Sequence, residues 1–202
     1  DSVARECEGI VAVVGFVEAS GGDLHNAAAV CAAGEVKSVY RKRRLPNYGV
    51  FDEERYFEPG TSPLLIDVEG EVCAVTICED VWVPELVGEA SGLGASIVLN
   101  ISASPFHTLK GSEREEMLAR RAVENGVSLV YCNLVGGQDE LVFDGRSVII
   151  DRNGDVIARA AAFRPDLLVA DVPAAPSPVR DEKLLGGHEE VWSALVLGLA
   201  DY

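Results

Sequence analysis

The sequence of 202 residues lacks the features that mark several classes of protein. Its five cysteines are odd in number and never spaced CxxC, so neither a disulfide framework nor a zinc site fits. No apolar run approaches the ~18–20 residues that cross a bilayer, and no signal peptide opens the chain. We therefore expect a protein of a reducing, cytoplasmic compartment, with no metal site and no membrane partner.

Positive charge is also scarce. Lys and Arg number 17 against 33 Asp and Glu, which gives a formal net charge of −16. Nucleic acids and anionic membranes are bound by clustered basic residues, so both are unexpected partners. The one basic cluster, YRKRRLP at 40–46, is short, and its simplest interpretation is a solvated strand end.

Apolar residues are plentiful, at 48%, and fall in short runs separated by turn residues, which is typical of an α/β fold. Two helices are predicted: one at 112–126, opened by a capping box of Ser112 and Glu115 and ended by Gly126, and one at 188–202. The Asn-Gly pair in DRNGD (151–155) predicts a hairpin. The predicted strands are 10–16, 26–32, 63–68, 72–78, 95–101, 128–133, 141–151 and 167–172.

Cys78 is the residue whose setting most suggests chemistry. The apolar run VCAVTIC ends in this cysteine, and EDVWVPEL follows as a helix-start pattern. Backbone N–H groups at such a junction favour a thiolate and can receive an oxyanion. The alternative is an inert buried thiol, which is the more frequent state of cysteine in proteins. If Cys78 is a nucleophile, His107 in SPFHTLKG is one candidate base.

Four segments in order resemble one branch of the nitrilase superfamily, the glutaminase domain of glutamine-dependent NAD synthetases. ICEDVW resembles the nucleophile segment of the superfamily, and the more specific matches are to the branch. The segment EEVWSALVLGLADY is similar to the first helix of the synthetase domain that follows. The other three of the four segments are YRKRRLPNYGVFDEERYFEPG, NISASPFHTLKGSEREEML and YCNLVGGQDELVFDGRSVIID.

The resemblance implies a Glu–Lys–Cys triad. Cys78 matches the acylated cysteine, and Lys42 matches the lysine that stabilises the tetrahedral intermediate. An ammonium near the thiol is physically reasonable, because it favours the thiolate and pairs with a developing oxyanion. The backbone N–H of Glu79 is the implied second oxyanion donor, and Glu53 matches an additional supporting glutamate.

Three further residues match the family's contacts with L-glutamine: Tyr48, Ser104 and Lys110. A hydroxyl or a cation can satisfy the polar and anionic ends of glutamine. Without the resemblance, each has an ordinary structural interpretation: Tyr48 as a turn residue, Ser104 as a cap before a proline, and Lys110 as a solvated charge.

The triad's glutamate has no match in the sequence. It should lie well before Lys42 in an FPEL-type segment, and none is present. Glu18 follows a strand but matches a variable turn of the family. We therefore expect a chain that begins inside the domain and is inactive, or nearly so, by itself.

The resemblance implies a nitrilase-like α-β-β-α four-layer sandwich, incomplete at the N-terminus. We expect a partial glutaminase domain at 1–172, a Pro- and Gly-rich linker at 173–187, and the first helix of a synthetase domain at 188–202. The implied function is glutamine hydrolysis through a thioester, supplying ammonia to NAD synthesis from deamido-NAD. ATP and Mg²⁺ would act in the synthetase domain, with no cofactor here, and a homo-oligomer is expected.

Two alternatives remain open from the residues. One is a stand-alone nitrilase-type amidase or carbamoylase, which would need neither the linker nor the terminal helix. The other is a binding or partner module that contacts glutamine without hydrolysing it, because the triad glutamate is missing.

Overall fold

The structure, a computed structural model, describes residues 2–172 and 180–202. Contacts divide the chain into two compact units, the first ending at Ile101 and the second beginning at Ser102. Within the described ranges, no helix combines the length and the apolar character needed to span a bilayer.

The first unit opens with a short helix, α1 (Ser2–Arg5), and an antiparallel sheet of β1 (Val11–Ser20), β2 (Asp23–Ala32) and β3 (Glu35–Arg41). Two-residue turns join the strands, and every central residue has a positive φ. Such turns match the twist of a hairpin and favour glycine.

The rest of the first unit forms a β-α-β arrangement that carries Cys78. Strand β4 (Leu64–Val68) pairs antiparallel with β5 (Glu71–Ile77), and β5 pairs parallel with β6 (Ile97–Ser102). A 3-10 turn (Cys78–Trp82) and helix α2 (Pro84–Gly92) cross between the parallel strands. Pro84 suits the helix start because its missing N–H would have no partner there.

The second unit combines α3 (Lys110–Asn125) with a sheet ordered β7 (Ser128–Asn133), β10 (Val148–Ile150), β11 (Val156–Arg159) and β12 (Arg180–Asp181). Strands β10 and β11 are antiparallel, which confirms the hairpin predicted at 151–155. Helix α3 ends at Gly126 as predicted, with that residue in the left-handed conformation, φ 64°.

A separate hairpin of β8 (Val135–Gln138) and β9 (Leu141–Asp144) contacts the last helix, α4 (Gly187–Asp201). The Gly137 N–H donates to the Asp201 carboxylate at 2.7 Å. A Cβ on Gly137 would lie 3.0 Å from the Gly198 Cα, so two glycines allow this close approach.

Three of the predictions for the second unit are wrong. Helix α3 begins at Lys110, with Leu109 as its N-cap and no side-chain cap, so Ser112 lies inside the first turn and forms no capping box. The turn in which the Lys110 N–H donates to the His107 carbonyl already starts the helix. The predicted strand at 141–151 is broken into β9 and β10, because Gly145 and Arg146 have positive φ angles.

The predicted strand at 167–172 is also wrong, since this segment has no regular ladder partner in the structure. The alternating residues of this segment nevertheless match its packing. Leu168, Ala170 and Val172 pack on a cluster of residues from β10 and β11. Residues 173–179 of the linker predicted at 173–187 lie outside the described residues. The domain boundaries expected from the sequence stay a prediction.

Candidate functional site

Cys78 lies in a strained turn directly after β5. It is 9% exposed, and its φ of +46° is in the left-handed region that a β-carbon disfavours. The Asn100 side chain on β6 donates to the Cys78 carbonyl at 3.5 Å. Strained strand-to-helix turns of this kind are used by enzymes to present a nucleophile. The helix predicted to begin next to Cys78 begins instead at Pro84, after the 3-10 turn.

Lys42 follows the last residue of β3, and its whole side chain, including the ammonium group, is buried. Its side chain is 1% exposed, and Nζ lies 2.7 and 2.8 Å from the two carboxylate oxygens of Glu53. Glu53 begins a short 3-10 helix (Glu53–Arg55) in the loop after β3. A buried ammonium is stable only when it is paired and hydrogen-bonded, and Glu53 supplies both.

The backbone around Lys42 is fixed from both sides. Its N–H donates to the Asn26 carbonyl on β2, and its carbonyl accepts from the Gly60 N–H, each at 2.8 Å. Gly60 packs so closely that a Cβ there would lie 2.2 Å from the Arg41 carbonyl oxygen. The loop that carries Glu53 therefore returns to the strand end that carries Lys42.

Asp80, two residues after Cys78, is 0% exposed. Its carboxylate accepts four hydrogen bonds, from the Tyr40 hydroxyl and from the backbone N–H groups of Ile77, Arg43 and Arg44. Burial raises the pKa of Asp80, while these hydrogen bonds and the charge of Lys42 act in the opposite direction. Burial and the Asp80 charge likewise raise the pKa of Tyr40.

Tyr48 contacts Glu79, the residue directly after Cys78. It is 59% exposed, and its hydroxyl donates to the Glu79 carboxylate at 2.9 Å. Partial burial, then the hydrogen bond to Glu79, raises the pKa of Tyr48 to about 12. The phenol is therefore neutral at physiological pH, and while its one O–H is donated to Glu79 its oxygen can still accept a hydrogen bond.

The other predicted residues belong to the second unit. Ser104 is buried, and its N–H donates to the Asn133 side chain at 2.9 Å. Lys110 is the first residue of α3. The imidazole of His107 is 56% exposed, contacts the carbonyl of its neighbour Thr108 through Nδ1, and lies 3.9 Å from a Glu113 oxygen.

The sequence interpretation placed Cys78, Lys42 and Glu53 in one site, and the structure locates all three in the first unit. The sequence interpretation missed Asp80 and Tyr40, because nothing in their spacing shows that the Asp80 carboxylate is hydrogen-bonded to two separate chain segments. Glu18, considered as a base, pairs instead with the Arg41 guanidinium at 2.6 Å. Among the described residues no group of three or more His, Cys, Asp or Glu could hold a metal ion.

Comparison with known proteins decides the family. The sequence profile of carbon-nitrogen hydrolases matches residues 2–177 of the chain. The chain belongs to the carbon-nitrogen hydrolase family. The resemblance stated from the motifs is therefore confirmed at the level of the family.

Relatives of this carbon-nitrogen hydrolase include the glutamine-dependent NAD(+) synthetase of Xylella fastidiosa (strain 9a5c), 43% identical over 209 residues. That match covers 100% of the chain and 38% of the relative, so the chain spans well under half the relative's length. A solved glutamine-dependent NAD+ synthetase from Acinetobacter baumannii, in complex with adenosine diphosphate, is 36% identical with a TM-score of 0.94. The match covers 39% of that synthetase and 100% of this chain.

A third solved relative is a mutant of the amidase from Nesterenkonia sp. AN1, 33% identical with a TM-score of 0.75. The match covers 85% of this chain and 66% of the amidase, whose active-site cysteine has undergone Michael addition to acrylamide. Together these structures confirm the predicted nitrilase-like α/β sandwich fold.

Proposed function

We propose that this carbon-nitrogen hydrolase chain is the glutamine-hydrolysing part of a glutamine-dependent NAD synthetase, with Cys78 as its nucleophile. The observation that carries the proposal is the buried Lys42 ammonium, held by Glu53. The strand end that carries Lys42 is linked through the Asp80 carboxylate to the turn that carries Cys78. The NAD synthetases of Xylella and Acinetobacter, similar along the whole chain, support the choice of substrate.

In the proposed reaction the Cys78 thiolate attacks the side-chain amide carbon of L-glutamine. A carbon–sulfur bond forms, and the carbonyl electrons move onto the oxygen. The Lys42 ammonium and the Glu79 backbone N–H stabilise this oxyanion, which is where electrostatic catalysis contributes most. As the intermediate collapses, the nitrogen takes up the proton that the Cys78 thiol gave up, the carbon–nitrogen bond breaks, and ammonia leaves. Water then attacks the thioester carbon, which breaks the carbon–sulfur bond and yields glutamate and the free Cys78 thiol.

Three residues are proposed to hold the substrate. The neutral Tyr48 hydroxyl, the Ser104 hydroxyl and the Lys110 ammonium offer two hydrogen-bonding groups and one positive charge for the polar ends of glutamine. The proton acceptor implied by the resemblance, a glutamate in an FPEL-type segment, has no match among the 202 residues. The proposal therefore assigns that role to no residue of this chain.

The proposed partner is a synthetase part of the same polypeptide, which would use the ammonia, ATP and Mg²⁺ to make NAD from deamido-NAD. The support is that the Xylella relative extends well beyond the region it shares with this chain. A cytoplasmic location and assembly into a homo-oligomer complete the proposal.

The test is Cys78→Ala in the native polypeptide that carries these residues. Glutamine-dependent NAD formation should be lost, whereas NAD formation from added ammonia should remain at the wild-type rate. Cys132→Ala is the matched control, because Cys132 is an exposed cysteine of the second unit, and it should leave both rates unchanged. Loss of ammonia-dependent synthesis in Cys78→Ala would contradict the assigned role.

The same assay separates the alternatives. Turnover of other amides without ATP, and none of glutamine, would favour a stand-alone amidase, which the likeness to the Nesterenkonia enzyme makes the second candidate. Binding of glutamine with no release of ammonia by the native polypeptide would instead favour a non-catalytic module.

A further inference from the structure

We infer that Asp80 is a positioning residue that sets the Lys42 ammonium relative to the Cys78 thiol. Asp80 touches neither the substrate nor the reacting atoms, and it acts through the backbone on both sides of the site. The expected effect on glutamine hydrolysis rests on the proposed function. The expected effect on the reactivity of Cys78 rests on the geometry alone.

The two oxygens of the Asp80 carboxylate divide their contacts between two segments. Oδ1 accepts from the N–H groups of Arg43 and Arg44, at 3.1 and 2.8 Å, directly after Lys42. Oδ2 accepts from the Ile77 N–H at 3.0 Å, directly before Cys78. One rigid planar group therefore fixes the distance between the two chain segments that carry the proposed catalytic side chains.

Tyr40 completes the arrangement from β3. Its hydroxyl donates to Oδ2 at 2.9 Å, and its ring packs in the same buried cluster as Ile77 and Cys78. Tyr40 lies two residues before Lys42, so the carboxylate is bonded to the chain on both sides of the lysine.

A side chain at position 80 can accept these four hydrogen bonds only if both of its terminal atoms are acceptors. Asparagine has the same shape as aspartate, but its amide nitrogen is a donor and would face either two N–H groups or an N–H and a hydroxyl. Because buried donors without acceptors are costly, the Asp80→Asn variant should shift one segment away from the other. Displacements of about 1 Å in a reacting group can reduce rates by about 100-fold.

The test is Asp80→Asn in the native polypeptide, with circular dichroism used to measure the folded fraction. We expect kcat for glutamine hydrolysis to fall by about 100-fold with KM little changed. We also expect the folded variant to react more slowly at Cys78 with iodoacetamide, measured at neutral pH by peptide mass spectrometry. Asp151→Asn is the matched control, because the Asp151 carboxylate also accepts two backbone N–H groups but lies in the second unit.

The direction of the alkylation change distinguishes positioning from simple stabilisation. If Asp80 only held the fold together, its loss would open the turn, and Cys78 would react faster or at the same rate. Either of those results, or an unchanged kcat, would overturn the inference. If the wild-type protein hydrolyses no glutamine, the proposed function fails, and the alkylation comparison still decides the role of Asp80.

A milder variant covers the case in which Asp80→Asn does not fold. Tyr40→Phe removes one donor and keeps the carboxylate together with its three backbone contacts. We expect kcat and the rate of Cys78 alkylation to fall together in this variant, by less than in Asp80→Asn. Wild-type values for both in Tyr40→Phe would overturn the inference.

Discussion

Replacing Gly60 by alanine tests how tightly the chain holds Lys42 in place. The new Cβ would lie 2.2 Å from the Arg41 carbonyl oxygen and 2.9 Å from the Arg41 carbonyl carbon. These are backbone atoms, which cannot rotate away, so the two segments must separate by roughly 1 Å to reach van der Waals contact. The separation would also weaken the hydrogen bond from the Gly60 N–H to the Lys42 carbonyl.

Overpacking of this kind costs about 1–3 kcal/mol, and the weakened hydrogen bond adds about 1 kcal/mol. We therefore expect Gly60→Ala to lower the free energy of unfolding by about 2–4 kcal/mol. Because Lys42 moves with Arg41, glutamine hydrolysis should slow by about 100-fold.

Urea unfolding and a glutamine-hydrolysis assay on the native polypeptide measure the two effects. Gly92→Ala is the matched control, because a Cβ on Gly92 meets nothing within 4 Å and alanine favours a helix. A Gly60→Ala variant as stable and as active as the wild type would refute the claim that this contact fixes Lys42.

Three other perturbations test separate parts of the account. Glu53→Gln leaves the buried Lys42 ammonium without a charged partner, so we expect a loss of about 2 kcal/mol in stability by urea unfolding and about a tenfold lower kcat. Asp144→Ala leaves the fully buried Arg114 guanidinium unpaired and should cost about 3–5 kcal/mol by the same measurement. Tyr48 should keep its proton through pH 10 and ionise near pH 12, seen as the ultraviolet difference between wild type and Tyr48→Phe.

Each of these has its own contradicting result. Wild-type kcat in Glu53→Gln would show that the pair does not support catalysis, and Glu35→Gln, which breaks an exposed pair with Lys37, is its control. A cost under about 1 kcal/mol for Asp144→Ala would mean that the pair is not buried as described. Ionisation of Tyr48 near pH 10 would mean that neither burial nor the hydrogen bond to Glu79 raises the pKa of this phenol.

Local chemistry explains which parts of the fold the sequence predicted. Glycine in a tight turn and glycine after a helix have one conformational reason to be there, so the hairpin at 151–155 and the end of α3 at Gly126 were correct. Ser112 had the right residue type for a cap. Its position failed because the turn before Lys110, in which Leu109 has a φ of 72°, started the helix two residues earlier.

Longer-range contacts account for what was missed at the site. The setting of Cys78 at the end of a strand marks it as a candidate, whereas Lys42 is predicted only because its segment resembles a family, and no spacing rule joins residues so far apart. The sequence pattern predicts that Asp80 is one acid of a helix start, whereas its carboxylate contacts residues 36 to 40 positions away. Such contacts exist only after β3 and β5 have been brought together, so no local pattern encodes them.

The proposed function requires that Cys78 forms a bond with the substrate's amide carbon. A glutamine analogue that carries an electrophilic ketone in place of its amide would be incubated with the native polypeptide, and the modified peptide identified by mass spectrometry. We expect an adduct on Cys78 that forms faster than any on the exposed Cys132 and that excess L-glutamine prevents. An adduct on Cys132 first, or labelling of Cys78 that glutamine does not slow, would contradict it.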